Sequence, residues 1–128
     1  MDRITLRRVA QAGTVMAALM ILYATLVPRP AHPSWLPDWG AHFLLFMGLG
    51  IPSALWYATS DGARRSPQRV LAMTILALWL FGGLTEVAQE PIGREPALSD
   101  WAFDVAGAVT GFVIGGALWR LLLGMSPR

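Results

Sequence analysis

Four apolar runs, each close to twenty residues long, constrain this chain more than any other feature. They cover residues 9–27, 39–57, 70–88 and 101–123, and short polar segments separate them. A helix of ~20 apolar residues matches the thickness of a bilayer. Because backbone polar groups find no water partner in lipid, a lone spanning segment must be helical. The sequence therefore predicts a single-domain, all-α membrane protein with four transmembrane helices in an antiparallel bundle.

The composition agrees with a membrane protein and argues against other classes. Hydrophobic residues make up 55% of the 128 positions and charged residues only 14%, whereas soluble domains carry about 25% charged residues. The chain has no cysteine, so it can form neither disulfides nor thiolate metal sites. Its net charge of +2 comes from arginines beside the apolar runs. Membrane topology explains these arginines, and we predict no nucleic-acid partner.

The first apolar run has two interpretations. Arg3, Arg7 and Arg8 precede it, but the run is longer than the roughly 7–15 residues of a signal-peptide core. Residues 28–37 follow with four prolines and should be extended at the membrane interface. We therefore favour an uncleaved first transmembrane helix over a cleaved signal peptide.

The arginines also predict the orientation. Four spans with short loops place both termini on one side, and cytoplasmic loops are enriched in basic residues. The polar loop at 59–69, in which Asp61-Gly62 should form a turn, falls on the arginine-rich side. We therefore expect both termini in the cytoplasm. Arg3, Arg7, Arg8, Arg64, Arg65, Arg69, Arg120 and Arg128 lie on this side, and only Arg29 and Arg94 lie on the other.

Glycines recur at four-residue spacing in the fourth run, at Gly107, Gly111 and Gly115. Small residues spaced in this way line one face of a helix and let another helix approach closely. The approaching helix could belong to this chain or to a partner protein, and simple packing filler is the alternative. We favour a tight helix contact.

Polar side chains concentrate on the side opposite the arginines, which makes this region the candidate site. Carboxylates beside hydrocarbon are costly unless they have partners, so such a concentration is a functional-site hypothesis. The start of the second helix, the end of the third and the start of the fourth should converge there. The candidate residues are Asp38, His42, Glu86, Gln89, Arg94, Asp100 and Asp104.

Helical spacing predicts where some of these side chains point. Asp38 and His42 are four residues apart and share a face if the helix begins by Asp38. Asp104 lies on the face that carries Gly107, so it should point into the helix contact rather than toward lipid. Arg94 is the nearest cation and could offset the acids through bidentate hydrogen bonds.

Several of these residues also have a purely structural explanation. Asp100 could cap the fourth helix. Glu86 could pair with Arg94, and His42 could be an interhelical hydrogen-bonding residue rather than a ligand or base. The sequence has no familiar catalytic or phosphate-binding motif. Asp100 and Asp104 could hold Mg²⁺ or Ca²⁺, but two carboxylates at this spacing are common by chance. The sequence therefore does not decide whether the protein binds a metal or a cofactor.

The order and spacing of the polar residues resemble one known family, the VanZ-like small membrane proteins of bacteria. The family pattern reads Asp-Lys-x-x-His-Phe, Glu-x-x-Gln, Gly-Arg and Asp-x-x-x-Asn-x-x-Gly. Trp39 stands where the family usually has Lys, and Asp104 stands where Asn is common. Both departures make the site more negative, which favours a cation or proton role. The matching segments, from about the end of the first helix to Gly115, are Asp38-x-x-x-His42-Phe43, Glu86-x-x-Gln89, Gly93-Arg94 and Asp100-x-x-x-Asp104-x-x-Gly107-x-x-x-Gly111.

The resemblance implies a multi-pass protein of the bacterial cytoplasmic (inner) membrane that faces the cell envelope. The family is named for a protein linked to low-level antibiotic resistance, against the glycopeptide teicoplanin. We expect the polar site to bind a membrane lipid or a lipid-linked envelope precursor at the outer face. One alternative is a structural subunit that docks into a larger membrane complex through the glycine face. Another is a membrane-embedded hydrolase or transferase that uses His42 with Glu86 or Asp104, so enzymatic activity stays open.

Overall fold

The chain is helical in nearly all of the part that the structure describes. The structure is a computed structural model, and it describes residues 2–27, 33–93 and 95–124. Within these ranges there is no strand. The helices are α1 (Arg3–Leu26), α2 (Asp38–Thr59), α3 (Asp61–Arg65), α4 (Pro67–Val87) and α5 (Leu98–Gly124), with a 3-10 turn at Glu90–Ile92.

Four of the helices, α1, α2, α4 and α5, are long and apolar enough to cross a membrane. The prediction of four membrane-length helices is therefore confirmed. Their ends differ from the predicted runs because capping and helix-starting residues outside the apolar segments extend the helices. Asp2 starts α1 ahead of residue 9, since its Oδ1 accepts a hydrogen bond from the Thr5 backbone N–H at 2.7 Å. Pro67 starts α4 ahead of residue 70, since proline fits the first helical turn.

The cap at Asp2 should make the first turn of α1 sensitive to pH. The Thr5 backbone N–H holds the pKa of the Asp2 carboxyl below its ordinary value. A lowered pKa means that the cap stabilises the turn above the ordinary pKa and loses this effect as the pH falls through the lowered value. We expect hydrogen exchange, corrected for intrinsic rates, to be faster in this turn at low pH. Asp2→Ala should exchange fast at neutral pH as well.

The matched control for this prediction is Asp2→Asn, which keeps a side-chain oxygen that can accept the Thr5 N–H. It should protect the turn at neutral pH and change little when the solution is acidified. Equal protection of the Thr5 amide in the wild type and in Asp2→Ala would show that the cap does not hold this turn.

The segment between α2 and α4 corrects one prediction. The sequence predicted a polar loop with a turn at Asp61-Gly62, but residues 61–65 form the short helix α3. The charges of this segment explain the difference. Asp61 lies in the first turn, at the positive end of the helix dipole, and Arg64 and Arg65 lie in the last turn, at its negative end. Asp61 also pairs with Arg7 of α1, with 3.1 Å between Oδ2 and Nη1.

The tightest helix contact joins α2 and α5. A methyl group added at any of the three spaced glycines of α5 would collide with a backbone carbonyl of α2. The two backbones therefore touch, as small residues at four-residue spacing allow. The α2 residues met by Gly107, Gly111 and Gly115 are, in that order, Phe43, Met47 and Ile51. Because the residue numbers of the contacts increase together along both helices, α2 and α5 run in the same direction. The glycine face is thus covered by α2 of the same chain.

The apolar core lies where α1 and α5 pack against α2. Ile21, Phe46, Leu49 and Ala108 form one buried cluster. By contrast, α4 buries only Gly82, Thr85 and Glu86 among its residues, all near its end. Further toward its start, a cavity of about 290 Å³ separates α4 from α5. The end of α4 is therefore its most deeply buried part, and it carries Glu86.

Candidate polar site at one end of the bundle

Three helices bring four ionisable side chains together at one end of the bundle. His42 of α2 lies at the centre, with its Nδ1 2.9 Å from Oδ1 of Asp104 on α5. The same Nδ1 lies 3.5 Å from Oε1 of Glu86 on α4. On the other side of the ring, Nε2 lies 3.8 Å from Oδ2 of Asp100. The imidazole therefore contacts carboxylates from both neighbouring helices.

Small residues allow this approach. A Cβ at Gly82 of α4 would lie 3.3 Å from the Cβ of Asp104 and 3.2 Å from the Trp101 ring, tighter than ordinary van der Waals contact, so the missing side chain at residue 82 eases the approach of α4 to α5. On the other side, Gly107 lets α5 lie against α2 one turn beyond Asp104. The glycines thus fix the distance between the helices that carry the polar groups.

The polar groups are buried. Asp104 is 0% exposed, Gln89 2% and Glu86 5%. Buried carboxylates are tolerated when they are paired or hydrogen-bonded. Glu86 meets this condition, because Oε2 accepts from the Ala97 backbone N–H at 3.1 Å and Oε1 accepts from Gln89 Nε2 at 3.4 Å. Asp104 meets it only in part, since its Oδ2 has no hydrogen-bond partner among the described residues.

A small cavity of about 40 Å³ adjoins the cluster. A cavity needs roughly 10–15 Å³ to hold one water, so this cavity can hold a few waters or one small polar group. Exposed Asp38 lies at the same cavity as half-buried His42 and buried Gln89, so the cavity extends from the surface to the cluster. The remaining lining residues are Ile21, Ala24, Thr25, Ala41, Leu45, Phe46 and Thr85.

The structure places six of the seven predicted site residues at this end of the bundle. His42, Glu86 and Asp104 form the buried centre, and Gln89 and Asp100 lie beside it. Asp38 does not join the hydrogen-bonded centre, but it lies in the first turn of α2 and lines the cavity. The seventh predicted site residue, Arg94, lies outside the described residues, and so does its possible pairing with Glu86.

Sequence reasoning did not select Thr25, Thr85 or the Ala97 amide. The two threonines are buried and line the cavity from α1 and α4. Little in the sequence indicated that these threonines belong to a site, because a threonine in an apolar helix usually donates to the backbone of its own helix, as Thr85 does to the Gly82 carbonyl at 2.8 Å. The Ala97 amide left no signal, since every residue except proline has a backbone N–H.

Together, the fold and the site define a multi-pass helical membrane protein with a buried polar cluster at one end of its bundle. No protein family, curated protein or solved structure matches the chain. Its chemistry must therefore be argued from the cluster. One imidazole and three carboxylates can accept hydrogen bonds, exchange protons or hold a cation, and the adjoining cavity gives a small polar group access.

Proposed function

We propose that this protein is a VanZ-like integral membrane protein that binds a membrane lipid or a lipid-linked envelope component through the polar cluster. In this proposal it lies in the bacterial cytoplasmic membrane with the cluster at the outer face. The observation that carries the proposal is the buried cluster itself, which adjoins a cavity that reaches the surface beside Asp38. Polar and ionisable groups inside a membrane bundle are expensive, and they mark sites of binding or transport.

The orientation in this proposal follows from the arginines. Arg3 Nη2 donates to the Ala58 carbonyl at 3.4 Å, and Arg7 pairs with Asp61, so the start of α1 lies beside the end of α2. These contacts favour opposite directions for α1 and α2, as in an antiparallel bundle with both termini on the arginine-rich side. The positive-inside rule assigns that side to the cytoplasm. The polar cluster, at the opposite end, then faces the envelope.

The level of the cluster in the bilayer favours a lipid ligand. Trp35 and Trp39 lie just before and within the first turn of α2 and are 78% and 52% exposed. Exposed tryptophans at helix ends are typical of the headgroup level of a membrane. His42 lies one turn further along α2, within reach of a headgroup. The cavity admits only the terminal polar group of such a ligand, and exposed apolar residues of α1 would contact its acyl chains.

The family resemblance supports the same site. Its polar motif positions are scattered between residues 38 and 104 in the sequence, and those in the described part lie at one end of the bundle. A binding site is a simple reason for such residues to converge. A contribution to teicoplanin resistance belongs to the proposal as its expected cellular effect.

Native mass spectrometry tests this proposal. We expect the wild type, extracted from a bacterial membrane with its own lipids, to carry a lipid-sized adduct. His42→Gln and Asp38→Asn should lose it, because both residues line the cavity. Glu90→Gln is the matched control, since Glu90 is an exposed acid in the 3-10 turn and lies outside the cavity. An adduct that survives both cavity substitutions, in variants that melt at the wild-type temperature, would overturn the proposal.

A further inference from the structure

We propose that His42, Glu86 and Asp104 form a binding site for a divalent metal ion such as Zn²⁺ or Mn²⁺. This inference goes beyond lipid binding and does not depend on it. It rests on the donor atoms, on an unpartnered buried oxygen, on the groups around the donors and on their charge.

The donor atoms are close enough to share one ion. One nitrogen of His42 and one carboxylate oxygen each from Glu86 and Asp104 all lie within 4.8 Å of one another. Nδ1 is 2.9 Å from the Asp104 oxygen and 3.5 Å from the Glu86 oxygen. Bonds of ~2.0–2.2 Å in a tetrahedral zinc site place neighbouring donors roughly 3.3 Å apart. The two distances from Nδ1 are within a few tenths of an ångström of this value, whereas the Glu86 and Asp104 oxygens, which lie within 4.8 Å of each other, would have to approach by up to about 1.5 Å to share one ion.

The second observation is the Oδ2 atom of Asp104. The side chain is fully buried, and this oxygen has no hydrogen-bond partner among the described residues. A buried acceptor without a partner is unfavourable, and more so when it is charged. Native structures rarely leave such a group unexplained, and an ion is one of the recognised explanations. A metal that Asp104 holds through Oδ2, alone or together with Oδ1, supplies the missing partner.

The surrounding groups orient the donors as in known metal sites. A histidine ligand commonly directs its second ring N–H toward a carboxylate, and carboxylate ligands are themselves hydrogen-bonded. Asp100 lies on the Nε2 side of His42, with 3.8 Å between Oδ2 and Nε2. Glu86 is fixed by Gln89 and by the Ala97 amide. Nδ1 of His42 faces the two carboxylates, whereas Asp100 would have to move slightly closer than 3.8 Å to accept a hydrogen bond from Nε2.

The charge and type of the donors select the ion. Two carboxylates with one neutral imidazole carry a charge of −2, which a divalent ion cancels. One nitrogen donor among oxygens suits Zn²⁺ or Mn²⁺, whereas Ca²⁺ takes six to eight oxygens and Mg²⁺ prefers an oxygen octahedron that keeps several waters. Three protein ligands leave a fourth position open. The cavity beside His42 can supply a water or a ligand oxygen to fill it.

Metal titration of the purified protein tests this site. The protein is prepared in detergent without a polyhistidine tag, stripped with a chelator and titrated with Zn²⁺, or with Co²⁺ for its visible absorption. We expect one ion per chain in the wild type. Glu86→Gln should weaken binding by more than the ~10–100-fold typical of losing an outer-shell partner. It keeps an oxygen for the Ala97 amide, so the local fold should survive.

Two further variants sharpen the test. Asp100→Asn should weaken binding by ~10–100-fold, as the loss of an outer-shell partner does. Glu90→Gln, an exposed acid outside the cluster, should bind as the wild type does. The inference is overturned by a wild type that binds no stoichiometric ion, or by unchanged binding in Glu86→Gln. Because metal and lipid adducts differ in mass, loss of one without the other separates this inference from the proposed lipid binding.

Discussion

Replacing Gly111 by alanine should destabilise the protein by about 1–3 kcal/mol, the usual cost of overpacking a well-packed interior. The added Cβ would collide with the Met47 carbonyl of α2. That carbonyl is backbone, so it cannot rotate away as a flexible side chain could, and α2 and α5 would have to separate. Alanine is the better helix former by about 0.8–1 kcal/mol, so a net loss would show that the helix contact outweighs the intrinsic propensity.

Gly116→Ala is the matched control on the same helix. In the part of the chain that the structure describes, no heavy atom outside α5 would lie within 4 Å of a Cβ at Gly116, so the substitution adds only a gain in helix propensity. We expect this variant to be as stable as the wild type or more stable. Equilibrium unfolding in mixed micelles, followed by circular dichroism, measures both. Equal stability changes at Gly111 and Gly116 would contradict a contact between the backbones of α2 and α5.

These glycines show how far the sequence specifies the fold. Membrane-length helices follow from apolar run length, because lipid leaves the backbone little alternative to the helix. The spacing of Gly107, Gly111 and Gly115 predicts that some helix approaches closely, but a spacing carries no information about which helix that is. The pairing with α2 depends on the packing of the whole bundle. The α3 helix was missed because Asp61-Gly62 favours a turn locally, whereas Arg64 and Arg65 complete a short helix.

At the polar site, too, the sequence predicts features within one helix better than contacts between elements. Helical spacing is enough to place Asp104 on the face of α5 that meets α2, because both positions belong to one rigid element. For Glu86, pairing with Arg94, the nearest cation, was one structural alternative, and Arg94 lies outside the described residues. In the structure, Glu86 accepts from the Ala97 amide and from Gln89. A backbone donor carries no residue signature, so the contact that fixes the end of α4 to the start of α5 could not be predicted.

Replacing His42 by leucine should destabilise the protein by about 3–5 kcal/mol, the usual cost of removing one partner of a buried ionic pair. Asp104 would remain fully buried, and its Oδ1 would lose the imidazole at 2.9 Å. Its Oδ2 already lacks a partner among the described residues. Equilibrium unfolding in mixed micelles measures the change. Arg7→Ala is the control, because it breaks an exposed ion pair with Asp61 and should cost at most about 1 kcal/mol.

The double variant His42→Leu with Asp104→Leu decides whether the cost comes from the pair. Exchanging a buried ion pair for apolar side chains is often neutral or stabilising, so the double variant should recover much of the stability that His42→Leu loses. A double-mutant cycle would then give a coupling energy at or above the upper end of the ~0.5–3 kcal/mol that is typical of residues in contact. Additive losses would mean that the two residues act independently. Recovery would mean that the His42–Asp104 pair is not required for stability, which is expected if the pair is kept for binding.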